Sequence, residues 1–247
     1  MKHIVGFSGG AASSVVGKIV AEQYHNDTVL LFHNTHTEPA DNDRFRKDVS
    51  DYIGLPITDY SDGRNIWQVF NDTGLMGNTR ITPCSRILKQ ERSLQYLKDN
   101  QPAILYVGFT VEEWERAQRT YARYLVQGID VKFPLIEEQI SKDECLHRIR
   151  NCWGIRLPYM YEWAEHANCV PCVKGGKAYW GLVYLNANDA WKFAKQFEKE
   201  TKNTILKDGS LEETLPDCLR LAKKWLRDKA LKKNQAPLIP FPCECAL

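Results

Sequence analysis

The chain has 247 residues, of which 43% are hydrophobic and 26% charged, with a formal net charge of +2. That length suits one α/β domain, or one domain plus an appendage, and the composition is that of an ordinary soluble globular protein. The near balance of charge excludes a whole-chain polyanion signal, so any nucleic-acid contact must be a local patch. Met1-Lys2-His3 runs straight into a short apolar stretch rather than a signal-type hydrophobic region, and nothing approaches a membrane span. The expected setting is the reducing cytoplasm. There, eight cysteines, at 84, 145, 152, 169, 172, 218, 243 and 245, point to metal or sulfur chemistry more than to disulfides.

Residues 3–7 predict a short buried strand that runs into Ser8-Gly9-Gly10, and residues 11–23 a helix with Val15, Val16, Ile19 and Val20 at helical spacing. Residues 28–33 predict a second buried strand. Residues 41–53 predict a polar-faced helix ending at Gly54, with Pro56 beyond it. A third strand is expected at 57–60, a helix at 85–97, a fourth strand at 104–107, and a helix from 111 to about 125. This alternation predicts an α/β fold, a parallel sheet with helices on both faces. Beyond Phe133-Pro134-Leu135-Ile136 the pattern turns helical, with helices expected at 142–150, 189–201 and 212–233. The expected division is an α/β body over residues 1–136 and a mainly helical region over 137–247 that carries most of the cysteines.

A strand that turns through two glycines into a helix places backbone N–H groups and a helix N-terminus where phosphate can sit. Gly9 and Gly10 permit close approach, and Ser8, Ser13 and Ser14 supply hydroxyls. No Gly-Lys-Ser/Thr follows, and Gly-x-Gly-x-x-Gly is absent, so neither common nucleotide fingerprint applies. A tight turn that needs small residues only for packing would read the same way. Its place after the first strand, where open α/β sheets bind ligands, favours phosphate.

The loop resembles the pyrophosphatase loop, Ser-Gly-Gly-x-x-Ser, of the adenine nucleotide α-hydrolase superfamily. That group includes N-type ATP pyrophosphatases, tRNA thiolation enzymes and the phosphoadenosine and adenosine phosphosulfate reductases. Ala12 stands where many members carry Asp, and the reductases often lack that Asp. Asn34-Thr35, with Glu38 and Asp41, resembles the reductase segment after the second strand, and the run from Pro83-Cys84 to Lys89 resembles their Cys-x-x-x-x-Lys segment. Gly108, Glu112, Glu113 and Arg116 resemble the Gly…Glu…Arg segment that lines the nucleotide pocket, and Phe133-Pro134-Leu135 the usual short strand. Residues 154–159 and 166–177 resemble a phage- and prophage-borne reductase-like subgroup. The similarity runs from residue 3 to about 181.

The resemblance implies an enzyme that works at the α-phosphate of an adenine nucleotide, with ATP or a relative and Mg²⁺ as cofactors. It implies a nucleotide site of Ser8, Gly9, Gly10, Ser13, Ser14, Asn34, Thr35, Glu38, Arg86 and Gly108. Lys89, Arg116 and Glu113 become catalytic candidates, and Glu38, Asp41 and Glu113 the carboxylates for Mg²⁺.

Cys169-Val170-Pro171-Cys172 has the spacing with which two thiolates grip one metal centre. Cys84 and Cys152 lie upstream, so four thiolates could converge. The layout is similar to that which holds a [4Fe–4S] cluster in adenosine phosphosulfate reductases, although Cys84 stands beside Pro83 where those enzymes have adjacent cysteines. Zinc fits four thiolates equally, with His147 or His166 able to replace one. A redox-active or merely buried Cys-x-x-Cys is the plainer alternative. Cys145 and Cys218 sit in helical patterns as packing residues.

The chain ends Pro242-Cys243-Glu244-Cys245-Ala246-Leu247, similar to the C-terminal Glu-Cys-Gly of phosphosulfate reductases, whose thiolate attacks the substrate sulfur. Cys245 is the corresponding candidate nucleophile, beside the reading of a terminus with incidental thiols or extra ligands. Basic residues from Arg220 to Lys233 share a helix with Leu219, Leu221, Trp225, Leu226 and Leu231. That pattern fits a solvated face better than a nucleic-acid contact. The seven tryptophans, Trp114, Trp153 and Trp180 among them, are expected in the core.

Two chemistries follow from the resemblance. Either ATP adenylylates an acceptor and sulfur then displaces AMP, or a thiolate attacks an activated sulfate nucleotide and sulfite results. A nucleotide-sensing module without turnover is the rival of another class. The partners expected are the nucleotide, a nucleic-acid or small-molecule sulfur acceptor, a thiol donor protein and a second copy of the chain.

Overall fold

In the computed structural model, which describes residues 1–233, five parallel strands form one sheet. They are β1 (Lys2–Gly6), β2 (Thr28–Phe32), β3 (Ile57–Asp59), β4 (Ala103–Tyr106) and β5 (Asp130–Lys132), in the order β3-β2-β1-β4-β5. Between them run α1 (Ala11–Tyr24), α2 (Ala40–Ile53), α3 (Ile66–Thr73), α4 (Pro83–Ser85), a π-helical turn (Arg86–Glu91), α5 (Arg92–Asp99) and α6 (Trp114–Leu125). After β5 come α7 (Pro134–Glu137), α8 (Lys142–His147), a second π-helical turn (Arg148–Cys152), α9 (Met160–Trp163), α10 (Lys177–Asn186), α11 (Asn188–Thr201) and α12 (Leu215–Lys233).

β2 and β4 are largely continuous apolar runs, and β1 buries Ile4 and Val5 on opposite faces, because both faces of the sheet are covered and alternate residues serve alternate faces. Val5, Leu30, Ile104 and Tyr106 pack with Val15, Val16 and Ile19 of α1 and Phe45 and Val49 of α2. Ile4, Leu31 and Leu105 pack on the other face with Leu97 of α5 and Tyr124 of α6. The α/β sheet with helices on both faces is therefore the observed fold. A third core joins α3 to α9, α10, α11 and α12 through Trp67, Phe70, Trp163, Trp180 and Phe197.

Some expectations need correction. Phe133-Pro134-Leu135 is not a strand: the short strand is Asp130–Lys132, and Pro134, which lacks an N–H for a ladder, opens α7 instead. The helix expected at 85–97 begins at Pro83 and passes through the π-helical turn. Trp153 and Trp180 are buried, whereas Trp114 is 54% exposed at the start of α6. In α12, Cys218 and Ala222 are buried while Arg220, Lys223, Lys224 and Arg227 face solvent. Among the described residues no helix is long and apolar enough to cross a membrane.

The chain steps outward from β1 through β2 to β3, then returns to pair β4 with the other side of β1. The strand order thus reverses between β1 and β4, and the crevice beyond their C-terminal ends is where such sheets receive ligands.

Candidate active site

The loop after β1 lies in that crevice. Phe7 extends the ladder by one bond, from its N–H to the Leu31 carbonyl (2.8 Å), and the chain then turns at Gly9 with φ +73°. That conformation suits glycine. Gly10 is the extended N-cap of α1 and offers no side chain to its free amides. The hydroxyls of Ser13 and Ser14 both donate to the Gly10 carbonyl at 2.9 Å, and Ser8 Oγ stands 3.1 Å from Ser13 Oγ. The serines therefore shape the loop as much as they line it. Gly108, just past β4, lies against it from the neighbouring strand: a Cβ there would sit 2.7 Å from the Ser13 nitrogen and 2.9 Å from the Ala12 carbonyl carbon.

Arg46 reaches from α2 to the underside of Gly9, where an added Cβ would come within 2.6 Å of its Cγ. Its guanidinium lies 4.0 Å from the centre of the Phe32 ring and pairs with Glu38 and Asp43. The Arg46 and Glu38 side chains are each only 4% exposed. Lys89 Nζ stands 3.8 Å from the other Glu38 oxygen. Charge thus runs in a row from the loop through Arg46 and Glu38 to Lys89.

Three of the free thiols, Cys84, Cys169 and Cys172, lie in electrostatic range of Lys89 at the far end of this row. Burial pushes the Cys84 thiol up to about 11, and the neighbouring Cys169 and Cys172 act in the same direction. Burial likewise raises Cys169, while Lys89 opposes the rise. Burial pulls the Lys89 ammonium down, but Cys169, Glu38, Cys172 and Cys84 outweigh it and its pKa ends raised. The Cys-x-x-Cys turn is docked on the segment after β2: Val170 N–H donates to the Thr37 carbonyl (2.9 Å) and Thr35 Oγ1 lies 3.0 Å from Cys169 Sγ. Tyr179 braces its far side, accepting from Cys172 N–H (2.9 Å) and donating to the Cys169 carbonyl (3.0 Å).

Other expected residues stand apart from this row. Arg86 is 60% exposed and pairs with Glu91. Arg116 pairs with Glu113 and lies over the Phe109 ring at 4.6 Å, in electrostatic range of His166. Asn34 bonds locally, its N–H to Ser61 Oγ (2.5 Å) and its side-chain oxygen to the His36 N–H (2.8 Å). Asp41 accepts from Arg44, Arg156 and the Tyr159 N–H. The three carboxylates expected around Mg²⁺ are thus each committed to an arginine.

The thiolate set fares differently from the expectation. Cys152 packs beside the core under α1, away from the other three, and is not among the free thiols. Among the described residues no group of three or more His, Cys, Asp or Glu is placed to hold a metal ion. Cys84, Cys152, Cys169 and Cys172 therefore have no common centre for a cluster or for zinc. Cys145 and Cys218 are buried, with Cys145 pushed up to about 12 by burial. Cys245 lies outside the described residues.

Two neighbours of the loop escaped the sequence reading. Arg46 interrupts the buried face of α2 made by Asn42, Phe45, Val49 and Ile53, and a cation in such a stripe is a legible signal. Tyr161, whose hydroxyl meets the Ala11 N–H at 3.0 Å, carries no sequence mark at all.

A glycine turn at the switch point of a parallel sheet, opening a helix N-terminus over a buried arginine, defines a phosphate-loop protein of the nucleotide-binding α/β class. The phosphoadenosine phosphosulfate reductase domain matches residues 2–129, from β1 to the residue before β5. The chain belongs to that family of nucleotide-binding enzymes. No curated protein matches it as a relative.

Proposed function

We propose that the protein acts at the α-phosphate of an adenine nucleotide, using ATP to adenylylate an acceptor and then delivering sulfur to it. One observation supports this reading above the others. The free thiols Cys84, Cys169 and Cys172 lie in electrostatic range of Lys89, which the buried Glu38–Arg46 pair links to the phosphate loop. Phosphate oxygens would be held by the amides at the start of α1, over the fixed charge of Arg46.

In the first step an acceptor oxygen bonds to the α-phosphorus, the α–β bridging P–O bond breaks and pyrophosphate leaves. In the second, the outer sulfur of a persulfide carried on Cys169 or Cys172 attacks the carbon that bears the adenylylated oxygen, the carbon–oxygen bond breaks and AMP leaves. The thiolate of the other cysteine then attacks the inner sulfur, which breaks the S–S bond, releases the thiolated acceptor and leaves a Cys169–Cys172 disulfide. A donor protein supplies the persulfide sulfur, and an external thiol reduces the disulfide. Burial holds Cys169 toward its thiol form, and Lys89 acts against that rise.

The test is product analysis on the full chain. AMP and pyrophosphate should form from ATP, and C169S/C172S should retain pyrophosphate release while losing sulfur transfer. Sulfite from an activated sulfate nucleotide, lost on removal of residues 243–247, would replace this reading with reduction by Cys245. ATP binding with no product would replace it with a sensor.

A further inference from the structure

We propose that Tyr161 is a phosphate-contacting residue, contributed by the chain beyond the family domain, whose hydroxyl completes the phosphate loop. The inference rests on the reading of that loop as a nucleotide site and adds a ligand that the family match, ending at residue 129, does not cover.

The first free amide of α1, Ala11 N–H, donates to Tyr161 Oη at 3.0 Å, across 150 residues of sequence. The same oxygen lies 3.6 Å from the position a Cβ on Gly10 would take, so it stands at the loop itself. The loop's own hydroxyl protons are committed: Ser13 and Ser14 donate to Gly10, and that leaves Ser8 to donate to Ser13. Tyr161 is in the opposite position. Its oxygen accepts from Ala11, and the Ala167 amide also faces it. Burial raises its pKa, so the proton stays on at neutral pH, and among the described residues no acceptor takes that proton. A phosphate oxygen seated at the start of α1 would supply one, in a charge-assisted hydrogen bond.

The segment that carries Tyr161 is fixed from two sides, which makes the hydroxyl a preorganised donor. Before it, the Asp41 carboxylate accepts from Tyr159 N–H (2.6 Å) and Arg156 Nη2 (3.0 Å), and Arg44 Nη2 donates to the Arg156 carbonyl (3.0 Å). After it, Lys229 of α12 donates to the carbonyls of Tyr161 (2.7 Å) and Glu162 (3.2 Å), and Trp225 Nε1 to Glu165 (3.3 Å). The terminal helix thereby clasps the very residue that touches the loop.

The experiment compares ATP and adenosine binding to the full chain and to Tyr161→Phe by calorimetry, with thermal melting as the folding control. Tyr161→Phe should weaken ATP about tenfold, as for one hydrogen bond to a charged group, and leave adenosine unchanged. A merely structural role would weaken both ligands together. If Tyr161→Phe does not fold, Lys229→Met, which loosens the segment without touching the loop, must show the same ATP-selective loss. Unchanged or tighter ATP binding by the variant would overturn the proposal alone, the second because it makes the hydroxyl a plug that phosphate must expel. Wild-type protein that binds no ATP would overturn the nucleotide reading and this inference with it.

Discussion

Replacing Gly108 by alanine tests whether β4 and the phosphate loop must touch backbone to backbone. The added methyl would lie 2.7 Å from the Ser13 nitrogen and 2.9 Å from both the Ala12 carbonyl carbon and Ser13 Cα. None of these is the end of a flexible side chain, so the loop or the strand end must move. Overpacking of this kind costs roughly 1–3 kcal/mol. For a chain of this size, about 2 kcal/mol corresponds to a melting point lower by roughly 4–8 °C. Because the atoms pushed away carry the amides that face phosphate, ATP affinity should fall at least tenfold in the fraction that remains folded. Gly10→Ala is the control. Gly10 is extended, and its Cβ would meet only Ser8 Oγ at 3.5 Å and Tyr161 Oη at 3.6 Å, which is ordinary contact. It should melt close to wild type while binding ATP more weakly. Calorimetric melting and ATP titration read both effects, and a Gly108→Ala protein with wild-type melting and wild-type affinity would refute the reasoning.

Glu38→Ala would strand the buried Arg46 charge, leaving it only the exposed Asp43. Urea denaturation should show a loss of roughly 3 kcal/mol, and a loss below about 1 kcal/mol would mean that water reaches the pair. The hydrogen bond from Arg44 holds the Asp41 carboxyl at about 2 in the fold, with the Tyr159 amide and Arg156 assisting against burial. A depressed carboxyl contributes stability above its unfolded pKa and loses it as pH falls through the folded one. Asp41→Asn should therefore cost about 2 kcal/mol at neutral pH, with the difference from wild type closing between pH 4 and 2 in urea melts. Lys89→Met should slow alkylation of Cys169 several-fold at pH 8, read by peptide mass spectrometry, with the rate recovering at higher pH. Equal rates would show that the ammonium does not act on the thiol.

The sheet was legible because β2 and β4 carry continuous apolar runs and β1 has Ile4 and Val5 side by side, a pattern that suits strands covered on both faces. The loop was legible because Ser8-Gly9-Gly10 stands between the first strand and the first helix, where open α/β sheets bind ligands. β5 was not, since Asp130-Val131-Lys132 buries one side chain and shows no period to read. α3 carries one legible mark, the capping box of Asn65 and Gln68 at its start, and is otherwise too short for its period to stand out. Of the site, Cys84, Cys169 and Lys89 lie in electrostatic range of one another, whereas Cys152 packs in another core, and spacing says nothing about which core a cysteine joins. Arg46 could have been found from its place in an apolar stripe. Tyr161 could not, because its role comes from a contact with the opposite end of the chain.

The π-helical turn over Arg86–Glu91 sets the geometry of the thiol end. An α-helix advances about 100° per residue, so side chains five apart, such as Cys84 and Lys89, would point roughly 140° away from each other. A turn closed by i→i+5 bonds is wider by one residue and brings such positions back toward one side. The ammonium and the thiol accordingly feel each other's charge. The four residues between cysteine and lysine are thus a unit of length as much as a run of side chains. A chain shortened by one residue there would close an ordinary α-helical turn with cysteine and lysine four apart, about 40° from each other, so the wider turn is what lets the longer spacing keep the cation beside its sulfur.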